Sequence, residues 1–250
     1  MPDSISPLRS TYWNPVREYG RTCRVCTAPT RDGFPICWNC REHSRAPYPT
    51  ADIVAPLTYA VKGEQSYRDL AVYKDARYPI ESRSGARSRV LGLVYAALSN
   101  HLSCIEALTS STVVLASVPS TSGERPGPHP LADVLGMFDD ETPRLGLSYV
   151  GEFGLERNQR REFTPSNFRV VSPEAALDSH VILFDDSWVR GGHLQSAASA
   201  ARLAGASWVT AIPIGRVLDS GYPDTRAFLV ERQDHSFDPE VCPLTGMSHS

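Results

Sequence analysis

Lysine is almost missing from this chain. Lys62 and Lys74 are the only two, and the other 23 permanent cations are arginines. The bias reads as genome composition; arginine suits phosphate oxygens, but a surplus of it is not a site. A strong charge of either sign is missing too. The formal net charge of −3 gives no field that would gather nucleic acid non-specifically, so such binding would need a local patch. No stripe of basic residues with interleaved aromatics supplies one, which weighs against single-stranded DNA as the main ligand. No apolar run approaches the roughly 18 residues of a membrane span, and MPDSISPLRSTYWNPVREYG lacks the apolar core of a secretion signal. We therefore expect a cytoplasmic protein with no membrane insertion. The string GxxxxGK[ST] does not occur, which removes the P-loop nucleotidases. Internal repeats and low-complexity tracts are absent as well.

What is present belongs to an ordinary globular protein. The hydrophobic content is 41% and the charged content 21% over 250 residues, enough for one large domain plus a small module. Residues 1–47 carry most of the cysteines and little apolar periodicity, and the Pro-containing SRAPYPTAD (44–52) joins them to the rest. From there strand-like and helix-like stretches alternate. IVAPLTYA (53–60), TVVLASV (112–118), RLGLSYV (144–150), SHVILF (179–184) and WVTAIPI (208–214) read as strands. GARSRVLGLVYAALSNHL (85–102) sets Val90, Leu91, Val94, Leu98 and Leu102 on one helical face, and LADVLGMF (131–138) is a short helix. Apolar runs separated by helical patterns predict an α/β domain over 48–250, a mostly parallel, doubly wound sheet with helices on both faces.

Four of the six cysteines fall between residues 23 and 40, while Cys104 and Cys242 stand alone. CRVC and CWNC are two CxxC pairs ten residues apart. Each can turn both sulfurs to one point, so Cys23, Cys26, Cys37 and Cys40 are candidate ligands of a structural zinc; a redox pair or chance spacing are the other readings. A site of four thiolates is closed, and such a zinc would hold the module together without doing chemistry. Trp38 and Arg24 of this ribbon are available to a protein or single-stranded nucleic acid partner, or are simply packing and solvated surface.

The stretch VILFDDSWVRGGHLQSAASAARLAGA (181–206) carries the strongest chemical signal. In a parallel sheet ligands bind at the carboxyl ends of strands, where Asp185 and Asp186 are expected. Gly191 and Gly192 then lead into a helix, whose first N–H groups and dipole suit a phosphate. Carboxylates that accept from sugar hydroxyls beside an anion site describe a place for a ribose phosphate. The competing reading is that the acids cap the following turn.

This stretch resembles the phosphoribosyl-diphosphate motif of type I phosphoribosyltransferases, with Asp185, Asp186, Ser187, Val189 and Gly191 fitting it. With the cysteine ribbon, the layout is similar to the competence-protein-F-like (ComF) family over nearly the whole chain. YAVKGEQSYRDLAVYK (59–74), VPSTSGERPGPHPLADVL (118–135) and SNFRV (166–170) match further segments of that family. The resemblance implies attack of a nitrogen nucleophile on C1 of phosphoribosyl diphosphate, with Mg²⁺ and release of pyrophosphate; the acceptor is not marked in the sequence. On that pattern Asp185 and Asp186 are the catalytic acids at the ribose 2′ and 3′ hydroxyls. The 5′-phosphate would be wrapped by Ser187, Val189, Arg190, Gly191, Gly192 and His193. The pyrophosphate would meet Lys74, Ser120 and Thr121, and Arg157, Arg160 and Arg161 of a closing hood; an ordinary solvated basic loop is the plain reading of that last run.

The chain also departs from the pattern. Val189-Arg190-Gly191-Gly192-His193 stands where Thr-Thr-Gly-x-Thr is usual, and Trp188 stands where a small aliphatic residue is usual. Beside the transferase, the alternatives are a non-catalytic regulator that binds phosphoribosyl diphosphate or a nucleotide, and a ComF-like accessory protein of DNA uptake.

Overall fold

A computed structural model describes residues 6–31, 33–120, 130–136, 142–152, 159, 162–232 and 234–248. Helix α1 (Ser6–Thr11) precedes the cysteine segment and α2 (Trp38–Arg45) closes it. Then come β1 (Ile53–Val54), β2 (Thr58–Val61), α3 (Gln65–Val72), α4 (Ile80–Glu106), β3 (Val113–Ser117) and α5 (Pro130–Gly136). The second half holds β4 (Leu147–Tyr149), a 3-10 turn (Pro165–Asn167), β5 (Phe168–Val170), α6 (Pro173–Ala176), β6 (His180–Trp188), α7 (Gly192–Leu203), β7 (Trp208–Leu218) and α8 (Pro223–Val230).

The central sheet has five strands in the order β1–β7–β6–β3, with β2 following β1 along the same edge of β7. Every pairing within it is parallel, so the predicted α/β class holds. Strand β7 is buried over nearly its whole length because neighbours pair with both of its edges and helices cover both faces, which is why its sequence is a near-continuous apolar run. Along β6 the side chains alternate between faces. Ile182 and Phe184 join α1, α3 and α4 in one hydrophobic cluster, while Val181 and Leu183 join α7 and the cysteine segment in another. Each such fully buried side chain contributes about 1.5–3 kcal/mol. The long helix α4 buries Val90, Leu93, Val94 and Ala97, the i, i+3, i+4, i+7 stripe expected of a helix with one covered face.

Some expectations are revised. The stretch 53–60 is two short strands rather than one, and α4 extends beyond 85–102 at both ends. The strand expected at 144–150 stands outside the sheet. Its core, β4, pairs antiparallel with β5, and only Arg144 bridges to Leu115 on the outer edge of β3. Alternating apolar residues predict a strand but not its partner. Strand β6 runs four residues past Phe184, paired with β7 as far as Trp188↔Arg216.

Asp69 is fully buried between α3, α4 and the N-terminal segment. It accepts two hydrogen bonds from Arg89 at 2.7 and 2.6 Å, one from the Tyr12 hydroxyl at 2.7 Å and one from Gln65 at 2.7 Å. Burial in the first place, then Asp69, pushes the Tyr12 phenol well above its ordinary pKa. Leu8 and Tyr12 lie in the same cluster as α4, so the first described residues complete this core. Among the described residues no helix is long and apolar enough to cross a membrane.

Candidate active site

The sheet decides what can meet at its carboxyl end. Parallel register sets Ser117 of β3 beside Phe184 of β6, and Val118 N–H donates to the Phe184 carbonyl at 2.9 Å. The segment that leaves β3, with Ser120, therefore starts alongside Asp185 and Asp186. The two acids lie within β6 rather than after it, so their side chains leave on opposite faces. Asp186 is buried and forms an ion pair with Lys74, just past α3. Asp185 is partly buried, and its Oδ1 accepts the Asp186 backbone N–H at 2.8 Å. Burial raises the Asp185 pKa above the usual carboxylate range, and the proximity of His193 and Lys74 offsets this in part.

Because β6 extends to Trp188, the glycine turn is shorter than expected. Ser187 pairs with Gly215 inside the sheet, and only Val189, Arg190 and Gly191 connect β6 to α7. Gly191 caps the helix at φ +87°, a left-handed conformation that glycine adopts without penalty. Trp188 is buried, and its ring lies directly under this turn: a Cβ on Gly191 would come within 2.1 Å of it. The ring also stands 6.5 Å edge-on from His43, which in turn meets Phe163 at 5.4 Å. Arg190 is exposed, and His193 packs edge-on against Phe168 at 5.0 Å. Thr121, Arg157, Arg160 and Arg161 lie outside the described residues.

Arg216, unremarked in the sequence, organises the turn from behind. It is buried on β7, and its Nη1 donates to the carbonyls of Trp188 at 2.9 Å, Val189 at 3.2 Å and Val217 at 2.6 Å. With those carbonyls turned inward, an anion at the mouth of the turn would meet the N–H groups at the start of α7 instead. Burial works against the Arg216 charge, but the sulfurs of Cys26, Cys37 and Cys40 outweigh it and raise the pKa. The only signal in the sequence was a lone arginine following a buried strand.

Those sulfurs form the second part of the site. The Sγ atoms of Cys23, Cys26, Cys37 and Cys40 lie within 4.8 Å of one another, and three of the four residues are buried. The first knuckle is held by Cys23 N–H to Ala28 O at 2.7 Å and Thr27 N–H to Cys23 O at 2.8 Å, with Thr27 at φ +59° and a bridge between Thr22 and Pro29. The second pair sits at the start of α2, with Cys37 as its N-cap and Cys40 in its first turn. Such a cluster could hold a metal ion such as zinc, since four soft donors around one point match its tetrahedral preference. The buried guanidinium beside them fits the net negative charge that zinc with four thiolates would carry. On the ribbon surface Trp38 is exposed, with the Arg41 guanidinium stacked 4.7 Å from its ring centre, and Arg24 is exposed as well.

No family model matches the chain, and no curated protein matches it. Among solved structures, a hypoxanthine phosphoribosyltransferase from Staphylococcus aureus is similar at a TM-score of 0.31 and 7% identity, over 52% of this chain and 73% of that one.

Proposed function

We propose that the chain binds phosphoribosyl diphosphate over the carboxyl ends of β3 and β6 and acts as a phosphoribosyltransferase of type I. The observation that carries this reading is the meeting, at the carboxyl end of β6, of Asp185, Asp186 and Lys74 with the Gly191 turn at the N-terminus of α7. In this reading Asp185 and Asp186 accept from the ribose hydroxyls and favour positive charge developing on the sugar. The turn from Val189 to His193 takes the 5′-phosphate on backbone N–H groups, with Arg190 as a charge-assisted donor. Lys74 exchanges its partner Asp186 for the diphosphate as the ribose arrives, and Ser120, Thr121, Arg157, Arg160 and Arg161 complete the diphosphate side. A nitrogen nucleophile forms the new bond to C1 while the bond to the diphosphate oxygen breaks, and pyrophosphate leaves with the electron pair. Mg²⁺ brought with the substrate would supply neutralising charge to that leaving group.

Cys23, Cys26, Cys37 and Cys40 hold zinc as a closed site that supplies folding energy and no reaction chemistry. Residues 1–47 are then a ribbon module and 48–250 the transferase-like domain, with Leu8 and Tyr12 contributed to the latter's core. The ComF-like layout adds a second role, in which exposed Trp38 and Arg24 present the ribbon to a protein or single-stranded nucleic acid.

One observation favours a non-catalytic binder: Trp188 fills the space beneath the turn where the motif usually has a small residue. Calorimetry of the zinc-loaded chain with phosphoribosyl diphosphate and Mg²⁺ tests binding. It should show one site, lost in the double substitution Asp185→Asn with Asp186→Asn; no binding, or binding that survives the substitution, overturns both readings. Pyrophosphate release across a panel of nucleobases and amines then separates transferase from binder.

A further inference from the structure

We propose that His101, Cys104 and Cys242 form a second metal site, a zinc staple that fastens the C-terminal segment to α4. A ring nitrogen of His101 and the two Sγ atoms lie within 4.8 Å of one another, although the sequence separates Cys242 from the other two by most of the sheet. His101 and Cys104 stand at i and i+3 on α4, on one face of the helix. The segment after α8 brings Cys242 to that face.

The backbone around Cys242 repeats the geometry of the first knuckle. Cys23 N–H donates to the carbonyl five residues on, Ala28, at 2.7 Å; Cys242 N–H donates to its own fifth neighbour, Met247, at 2.9 Å. Thr27 N–H returns to Cys23 O at 2.8 Å, and Gly246 N–H returns to Cys242 O at 2.7 Å. The residue four places after each cysteine has positive φ, Thr27 at +59° and Gly246 at +75°. Each turn is closed by an antiparallel bridge, Thr22↔Pro29 in one and Val241↔Ser248 in the other. Thr245 occupies the place that Cys26 holds in the first turn. Cys242 is thus displayed as a knuckle cysteine whose second thiol is replaced, and α4 supplies the further donors.

His101 is oriented for the same task. Its Nε2 lies 2.9 Å from the carbonyl of Pro239, and a carbonyl only accepts, so Nε2 carries the proton and Nδ1 the lone pair. Ring N–H to backbone carbonyl is the usual support behind a metal-bound histidine. A small cavity of about 10 Å³, lined by His101 and Cys242 and mostly by apolar residues such as Leu93 and Phe237, adjoins the cluster. One nitrogen and two thiolates suit Zn²⁺ with water as its fourth ligand.

The test uses the full chain, kept reduced, saturated with Zn²⁺ and freed of excess by gel filtration, with zinc counted per chain by mass spectrometry. Wild type should carry two zinc ions; Cys104→Ser and Cys242→Ser should carry one each, with the four-cysteine site still filled. Thr245→Cys, at an exposed position, should restore the missing knuckle thiol and tighten the second zinc at least tenfold against a competing chelator. If Cys242→Ser fails to fold, Cys104→Ser and Thr245→Cys decide. One zinc in wild type, two in both serine variants, or a Cys104–Cys242 disulfide that excludes zinc from the reduced and reloaded chain would overturn the proposal.

Discussion

The packing of Trp188 under the Gly191 turn yields a coupling that can be measured. Gly191→Ala places a Cβ 2.1 Å from Cζ2 and 2.2 Å from Cε2 of the indole, on a residue held at φ +87°. The left-handed conformation alone costs an alanine about 1–2 kcal/mol. Forcing the buried ring aside costs about 1–3 kcal/mol more. The substitution should therefore destabilise the chain by roughly 2–5 kcal/mol, or about 4–20 °C in thermal midpoint for a chain of this size. Trp188→Val creates a cavity and costs up to about 3–5 kcal/mol by itself. In that background, however, the added methyl has space, and Gly191→Ala should cost only the conformational part. Equilibrium unfolding of the four proteins under identical conditions would then give a coupling of about 1–3 kcal/mol. If Gly191→Ala costs the same in both backgrounds, within the roughly 0.5 kcal/mol expected of independent sites, the indole does not support the turn.

The adjacent acids should respond in opposite directions. Burial raises the Asp185 pKa, so its contribution to stability is full below its unfolded pKa of about 4 and is lost as pH rises through the higher folded value. Asp185→Asn should accordingly be at least as stable as wild type at pH 7, with its advantage disappearing near pH 4, whereas Asp186→Asn loses the Lys74 pair and should cost about 1.5–3 kcal/mol; equal and same-sign effects would contradict their placement on opposite faces of β6. Asp69→Ala leaves Arg89 and the Tyr12 hydroxyl without their buried partner, and denaturant titration should show a loss of about 3–5 kcal/mol. If the four-cysteine cluster holds zinc, stripping the metal frees its thiolates to take up protons and so removes the negative charge beside Arg216; hydrogen exchange should then accelerate in Trp188–Gly191 as well as in the ribbon. Exchange confined to residues 23–45 would show that Arg216 does not link the two.

Legibility followed the range of the interactions. The strands β3, β6 and β7 could be read because each is a run of apolar, often β-branched residues, and burial on both faces makes such runs continuous. The first knuckle was equally plain, since a CxxC turn is local. The end of β6 was not: Asp185 to Trp188 look like a polar loop, and they are held extended by pairing with Pro213 to Arg216 of β7, a partner that composition does not reveal. For the same reason Arg216 and the Lys74–Asp186 pair escaped notice, as each joins segments from different parts of the chain.

By itself the sequence determined the α/β alternation, the four-thiol cluster and the position of two acids ahead of a glycine turn, each built from patterns local to one segment. Only the tertiary structure decided that the acids face opposite sides of β6, that Trp188 rather than open space lies beneath the turn, and that two solitary cysteines meet a histidine against α4. Local patterns follow from backbone geometry and solvation, which each segment carries with it. Long-range meetings exist only after the sheet has set its register, and there a charge, a ring or a thiol acquires the neighbours that give it a chemistry.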